Sequence, residues 1–268
     1  MKIDTLVDSM ADEFSDAMVE EILREARGGF ARALERIRRP QAALGVVKSV
    51  LGDLLVALTA RGVVLNHYLR DGADLAATIA HLRQYFDLVE DRRAAQEIGE
   101  EVRRYVGGDA AALRQPVDLA LVNGAFQRKV LTKLMAVVPR GAVISYQALG
   151  AAAGAPDAAR AVGNALHHNP VPVYVPCHCV VASGGAIGGY GGGLPRKLQL
   201  LRAEGFALED TAAAIPAEAV CGHHSTGIYC RRGCRAGARA HRARIMFFAS
   251  PAQARRAGLR PCKLCRPG

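Results

Sequence analysis

Cys177 and His178 stand side by side in the run VPVYVPCHCVVA (171–182), with acidic residues downstream. A cysteine beside a histidine is the raw material of a thiolate nucleophile. A free thiol has a pKa of about 8.5 and is mostly protonated at neutral pH. A base must take that proton, and a third group must orient the base. The run reads as a near-continuous apolar strand, and adjacent residues on a strand point to opposite faces. Cys177 and His178 therefore need a turn or a bridging water to cooperate, and Pro176 is suited to making the break. A buried core cysteine beside a structural histidine is the alternative.

The other cysteines suggest metal chemistry. Cys230-x3-Cys234 and Cys262-x2-Cys265 are two close pairs separated by 27 residues. Each pair suits one knuckle, and four thiolates satisfy a tetrahedral zinc ion. A module this short buries little core, so the metal would supply folding energy. All seven cysteines lie after residue 176. An odd, clustered set argues against a secreted disulfide framework and for metal or reactive thiols in a reducing compartment.

Charge points to the same end of the chain. Residues 221–268 hold eleven Arg and Lys and no Asp or Glu, leaving 24 basic against 25 acidic groups in the other 220 residues. A dense basic block suits a polyanion, most often nucleic acid, or else is a solvated tail. No apolar run has transmembrane length, and the opening MKIDTLVDSMADEF is acidic and helical rather than a signal peptide. The expectation is a cytoplasmic chain with no membrane partner.

These groups need a scaffold. Residues 12–39 read as a helix weakened at Gly28-Gly29 and stopped before Pro40. The runs 43–50, 53–60 and 62–69 are Val- and Leu-rich with Gly-containing breaks, an antiparallel hairpin or meander. Residues 73–86 and 92–105 read as amphipathic helices, the second ended by Gly107-Gly108. FQRKVLTKLMAVV (126–138) is a helix ended by Pro139-Arg140-Gly141. Two short helices, 145–154 and 157–168, make either a helix-turn-helix or an ordinary packed pair. A glycine-rich loop (184–193) and a last helix (194–205) follow, then an Ala-rich linker (206–220). No internal repeat is visible.

FQRKVLTKL, GAVISYQALGAAAG, ARAVGNALHHNPVPVYVPCHCVV and GGYGGGLPRKLQLLRAEG together resemble the C-terminal domain of the O6-alkylguanine-DNA alkyltransferases, in order and spacing from Phe126 to Gly205. The resemblance implies irreversible transfer of an alkyl group from O6-alkylguanine, with O4-methylthymine as a further substrate, to Cys177. It implies His178 as base through a water, Glu204 as its orienter, Tyr146 as proton donor to the leaving guanine, and Asn169 as support for the nucleophile's strand. The 157–168 helix would enter the minor groove, its small residues (Ala158, Ala159, Ala161, Gly163, Ala165) allowing close approach. Arg160 would fill the gap left by the flipped base, and Tyr190 with its glycines would wall the guanine pocket. The target oxygen lies inside a duplex, so extruding the base costs about a few kcal/mol, which an inserted side chain and a bent groove offset. One departure stands out: the family reads Pro-Cys-His-Arg, and this chain has Cys179 in place of that Arg, either an inert core thiol or a spare acceptor.

The segment VVKSVLGDLLVALTARGVVLNHYL resembles the family's N-terminal, ribonuclease H-like domain, here without cysteine. Residues from Ser225 to Cys265 resemble the metal-binding domain of Ada, which repairs methylphosphotriesters. That resemblance implies Cys230 as a zinc-bound acceptor, with Cys234, Cys262 and Cys265 as further ligands; a structural zinc finger that only holds DNA is the alternative. Cys221 fits no ligand position.

The expected fold class is α/β in five parts. These are a helical extension (1–41), a small ribonuclease H-like sheet domain (42–118), a helix-turn-helix, winged-helix-like alkyltransferase domain (119–206), a linker (207–220) and a zinc module (221–268). Zinc serves the last part, and alkyl transfer at Cys177 needs no cofactor. The expected partner is alkylated double-stranded DNA, bound by a monomer. A non-catalytic reader of alkylation damage, or a sensor in which Cys230 methylation strengthens DNA binding, are the competing functions; an intact Cys177 favours the enzyme.

Overall fold

The computed structural model describes residues 39–109, 111–223, 226–238 and 245–268, with Glu20, Glu21, Arg24, Glu25 and Gly28 before them. Those five are helical and Arg39 is not; the rest of the expected 12–39 helix lies outside the described residues. Among the described residues no helix is long and apolar enough to cross a membrane.

The apolar runs form the expected meander. Strands β1 (Gln41–Ser49), β2 (Gly52–Thr59) and β3 (Gly62–Tyr68) pair antiparallel in turn. Gly62 takes φ +127°, and a Cβ there would lie 2.1 Å from the Pro116 carbonyl oxygen, so only glycine fits. Helix α1 (Gly72–Leu82) is capped by Asp71, whose side chain accepts from the Asp74 N–H. The sheet gains a parallel edge strand that periodicity does not reveal, β4 (Asp87–Glu90), beside β1. Helix α2 (Arg92–Val106), capped by Asp91, lies directly on β1. Close approach is possible because Gly45 and Gly99 face Ala95 and Val47 with no side chain of their own.

The central unit begins with helix α3 (Ala125–Val137). Strand β5 (Ala142–Ser145) leads straight into α4 (Tyr146–Ala152), whose cap is Ser145. Helix α5 (Ala159–His167) packs against both α3 and α4, so the two short helices expected over 145–154 and 157–168 form a packed pair. The strand expected over 171–182 is not formed. Pro170, Pro172 and Pro176 lack N–H donors, and Val173 takes φ +76°, a strained value for a β-branched residue. Cys177–Cys179 is one turn of 3-10 helix, and only Val180–Val181 (β6) is extended, parallel to β5. The run is apolar because it is core: Val171, Val175, Val180 and Val181 are fully buried. Helix α6 (Leu194–Ala203) closes the unit.

Residues 206–220 pack on the glycine-rich loop. Ile187 N–H donates to the Ala213 carbonyl (2.8 Å) and Ile215 N–H to the Gly185 carbonyl (2.9 Å). The last segment adds β7 (Val220–His223), β8 (Ile228–Cys230), α7 (Arg235–Ala238), β9 (Ile245–Phe248), α8 (Pro251–Arg256) and β10 (Arg260–Pro261). These strands join the central unit in one six-stranded sheet, ordered β10-β8-β7-β9-β5-β6. The chain is thus a mixed α/β protein with an N-terminal sheet, a helical middle and a C-terminal sheet.

Candidate active site

Cys177 opens the 3-10 turn, 7% exposed. Asn169 Nδ2 donates to its Sγ at 3.1 Å and to the Val175 carbonyl at 3.3 Å, while Asn169 Oδ1 accepts from Val171 N–H at 3.0 Å. One side chain therefore braces both ends of the strained loop and touches the sulfur. Burial pushes the Cys177 thiol up; Asn169 and the Lys197 charge pull the other way without cancelling it.

The turn brings His178 into a buried hydrogen-bonded chain. Its Nε2 lies 3.0 Å from the Tyr105 hydroxyl, which donates to Glu204 Oε1 in a very close contact. The direct His178–Glu204 separation is longer, 3.7 Å, so Tyr105 is the nearer partner. Glu204 Oε2 accepts from Gly141 N–H at 2.6 Å. Burial opposes the Glu204 charge, yet His178, Tyr105 and Gly141 outweigh it and hold the carboxyl below its usual range. His178 Nδ1 is buried without a protein partner, which leaves that nitrogen for proton exchange.

Two cavities meet at Cys177. One, of about 350 Å³, is lined by Tyr146, Gly163, Leu166, His167, Tyr190 and neighbouring glycines. Tyr146 is half-buried at the first position of α4, its hydroxyl pushed up by burial and then by the Cys177 charge. The second, about 440 Å³, lies against the N-terminal sheet and is lined by His67, Tyr68, Arg70, Pro172, Tyr190 and Arg196. Tyr190 is the shared wall. Its hydroxyl bonds the Tyr68 hydroxyl at 3.0 Å and also Cys177. Burial pushes Tyr68 up to about 12 and Tyr190 well above its ordinary value.

On α5, Arg160 and Ala161 are exposed, and Ala159 and Gly163 half-buried. Ala165, expected among the small residues at the groove, is instead 5% exposed and belongs to the core. Cys179 is 2% exposed, in an apolar cluster with Val143, Val181, Leu198 and Phe206, and lines neither cavity. Its sulfur lies within 4.8 Å of His178 and Glu204 ligand atoms, so it fills space beside the acid pair.

Tyr68, Tyr105 and Lys197 escape sequence reasoning. Lys197 is fully buried, its Nζ donating to the carbonyls of Val180 (2.7 Å), Ile187 (2.6 Å) and Gly189 (3.1 Å), and burial pulls its pKa down to about 8. A signal existed: Lys197, Leu200, Leu201 and Glu204 share one stripe of α6, placing two ionisable groups on an apolar face. Tyr68 and Tyr105 come from distant elements with no local motif.

Cys230, Cys234, Cys262 and Cys265 offer sulfurs all within 4.8 Å of one another, an arrangement able to hold a metal ion. Cys262 accepts from the backbone N–H groups of Cys265 and Leu264, which pull it down to about 7. Cys221 sits opposite Cys230 across β7 and β8 but outside this cluster, pushed up to about 11 by burial.

Comparison with known proteins agrees with this layout. Residues 125–206 match the family model for the 6-O-methylguanine DNA methyltransferase DNA-binding domain, and residues 206–268 match that for the metal-binding domain of Ada. The human methylated-DNA–protein-cysteine methyltransferase is 55% identical over 97 residues, 36% of this chain and 45% of that protein, so the chain spans about half the length of such relatives. The Mycolicibacterium paratuberculosis protein of the same name is 41% identical over 115 residues, 43% of this chain and 68% of its own length. The crystal structure of Mycobacterium tuberculosis O6-methylguanine methyltransferase superposes with a TM-score of 0.51 and 30% identity, covering 61% of this chain and 93% of that one.

Proposed function

The chain belongs to the methylated-DNA–protein-cysteine methyltransferase family, and on that premise we propose that it repairs O6-alkylguanine in DNA by direct, irreversible transfer of the alkyl group to Cys177. The observation that carries this reading is the Cys177 sulfur at the junction of two cavities, beside the His178–Tyr105–Glu204 chain.

In the reaction the Cys177 proton passes through a water to His178, and Glu204, acting partly through the Tyr105 hydroxyl, steadies the resulting charge. The thiolate attacks the alkyl carbon: a carbon–sulfur bond forms, the carbon–O6 bond breaks, and guanine leaves with the electron pair. Tyr146 donates a proton to the departing base. Asn169 and Tyr190 hold the sulfur in line. The thioether is stable, so each molecule acts once. The α4–α5 pair is the helix-turn-helix. On this reading α5 lies in the minor groove, Ala159 and Gly163 permit close approach, and Arg160 fills the place of the flipped base. The β1–β4 sheet with its helices follows a ribonuclease H-like plan.

The four clustered cysteines would hold zinc, whose role there is to fold a small basic module. Cys230 is 2% exposed, whereas Cys234 and Cys265 are half-exposed. The eleven Arg and Lys of residues 221–268, with no Asp or Glu among them, support a metal-stabilised element that holds DNA, and transfer to Cys230 is the alternative.

Intact mass and peptide mapping test both statements. Incubation with duplex DNA carrying O6-methylguanine is expected to leave one methyl group on the Cys177 peptide; an unmodified Cys177 overturns the repair reading. Incubation with methylphosphotriester DNA is expected to leave Cys230 unmodified, and a methyl group on it would make the module a second acceptor.

A further inference from the structure

The terminal module meets the segments that carry Gly141 and Glu204 through β9 and α8. Strand β9 pairs antiparallel with β5, Ala142 opposite Phe248 and Ile144 opposite Met246. Just beyond β9, Ala249 N–H donates to the Gly141 carbonyl at 3.0 Å. Helix α8, capped by Ser250, then turns Gln253 back over the junction. Gln253 Nε2 donates to the Glu204 backbone carbonyl at 2.8 Å. That carbonyl belongs to the C-terminal end of α6, where the helix itself offers no donor. The same side chain covers both flanking glycines: a Cβ on Gly141 would lie 2.3 Å from Gln253 Cδ, and one on Gly205 would lie 2.8 Å from Nε2. Gly141 N–H is the group that holds Glu204 Oε2. Gln253 thus grips the Glu204 backbone and covers the residue that grips its carboxylate.

We propose that Gln253, supplied by the metal-binding module, is a positioning residue for alkyl transfer at Cys177. It fixes Glu204 from outside, and through Tyr105 and His178 it sets the base that removes the thiol proton. The proposal rests on the reading of Cys177 as the acceptor. Gly141 and Gly205 both adopt positive φ, +78° and +94°, so glycine is the residue that fits beneath the Gln253 side chain at each. Gln253 adds a tie from a separate element to those already between the two segments, Gly141 N–H to Glu204 Oε2 and Arg140 Nη2 to the Ala203 carbonyl at 3.0 Å.

The test uses the full metal-loaded chain and Gln253→Met, which keeps an unbranched side chain of similar length and removes the donor. Single-turnover methyl transfer from O6-methylguanine duplex is followed at saturating DNA from mildly acidic to alkaline pH. DNA affinity and melting temperature are measured alongside. The expected result is a rate lower by about tenfold at neutral pH, a modest part of the ~10²–10⁴-fold that general-base catalysis supplies. DNA affinity stays unchanged, and the deficit shrinks as pH rises, because hydroxide replaces the weakened base. A rate equal to that of the unaltered chain at every pH overturns the proposal. So does a deficit that is constant with pH and follows a lowered melting temperature or weaker DNA binding. Gln253→Asn, which draws the donor out of reach while staying polar, gives the same comparison if the methionine variant does not fold. Failure of the unaltered chain to methylate at Cys177 is a different result: it removes the acceptor reading itself.

Discussion

Burial acts on neighbouring groups in opposite senses around Cys177. The Cys177 and Cys179 thiols are pushed up, while the Lys197 ammonium is pulled down to about 8. A thiol with a raised folded pKa contributes stability that is fully present below the unfolded value, about 8.5, and is lost as pH rises toward the folded value. Above that point the unfolded chain releases its proton while the native chain keeps it. Lys197 works with the other sign, since its desolvation cost is relieved as pH rises through about 8. Methylation isolates the Cys177 share, because a thioether does not titrate. The melting temperature of the methylated protein is therefore expected to rise relative to the free protein as pH passes about 8.5. Melting curves of both forms across pH check this, and parallel curves would count against a titrating, buried Cys177. At this scale the Cys177–His178 pair was legible because the two residues are adjacent, while Glu204 entered only with the family resemblance; the structure places its carboxylate 3.7 Å from His178. Tyr105 was not: it lies on α2, and nothing about a tyrosine on an amphipathic helix announces a bridge between His178 and Glu204.

Helices α4 and α5 were readable as two short helices, each a residue or two shorter at either end than expected, and α5 bears the division of labour one helix can hold. Val162, Ala165 and Leu166 face the core, while Arg160, Ala161 and Asn164 face out. Period-3.6 spacing alone assigns Ala165 to the buried stripe with Val162, so that expectation erred by treating all small residues as one face. The strand expected over 171–182 erred differently, since continuous burial looks the same in a strand and in a proline-braced loop. If Arg160 offsets the extrusion of a base, its loss should matter only when a base must be extruded. Arg160→Ala is expected to slow transfer from duplex DNA by about tenfold to a hundredfold, equivalent to ~1.4–2.7 kcal/mol. Transfer from a free alkylguanine base should change by less than about twofold, since no duplex is opened. Equal losses on both substrates would place Arg160 in the chemistry rather than in the opening of the helix.

Across the whole molecule the three parts are mechanically continuous. Arg232 of the terminal module donates to the carbonyls of Gly184, Ile215 and Pro216, and Arg196 of α6 donates to the Leu51 carbonyl of the N-terminal sheet. Metal removal should therefore be felt at Cys177. A loss of only about 3 kcal/mol, small beside the ~10–16 kcal/mol of structural zinc sites, lowers the melting temperature by about 6–12 °C at this chain length. Scanning calorimetry with and without a chelator is expected to show one transition that moves down; two independent transitions would mean that the module melts alone. The pairing of β5 with β9 was beyond the reach of sequence patterns, since both strands are four residues long and far apart in the chain. It also has a consequence for biosynthesis. On the ribosome β5 emerges long before β9, so the nascent chain carries an open strand edge with Val143 and Ile144 awaiting cover. Such an edge is a template for pairing between chains. Polysomes stalled short of β9 should therefore be where this protein is most in need of a chaperone.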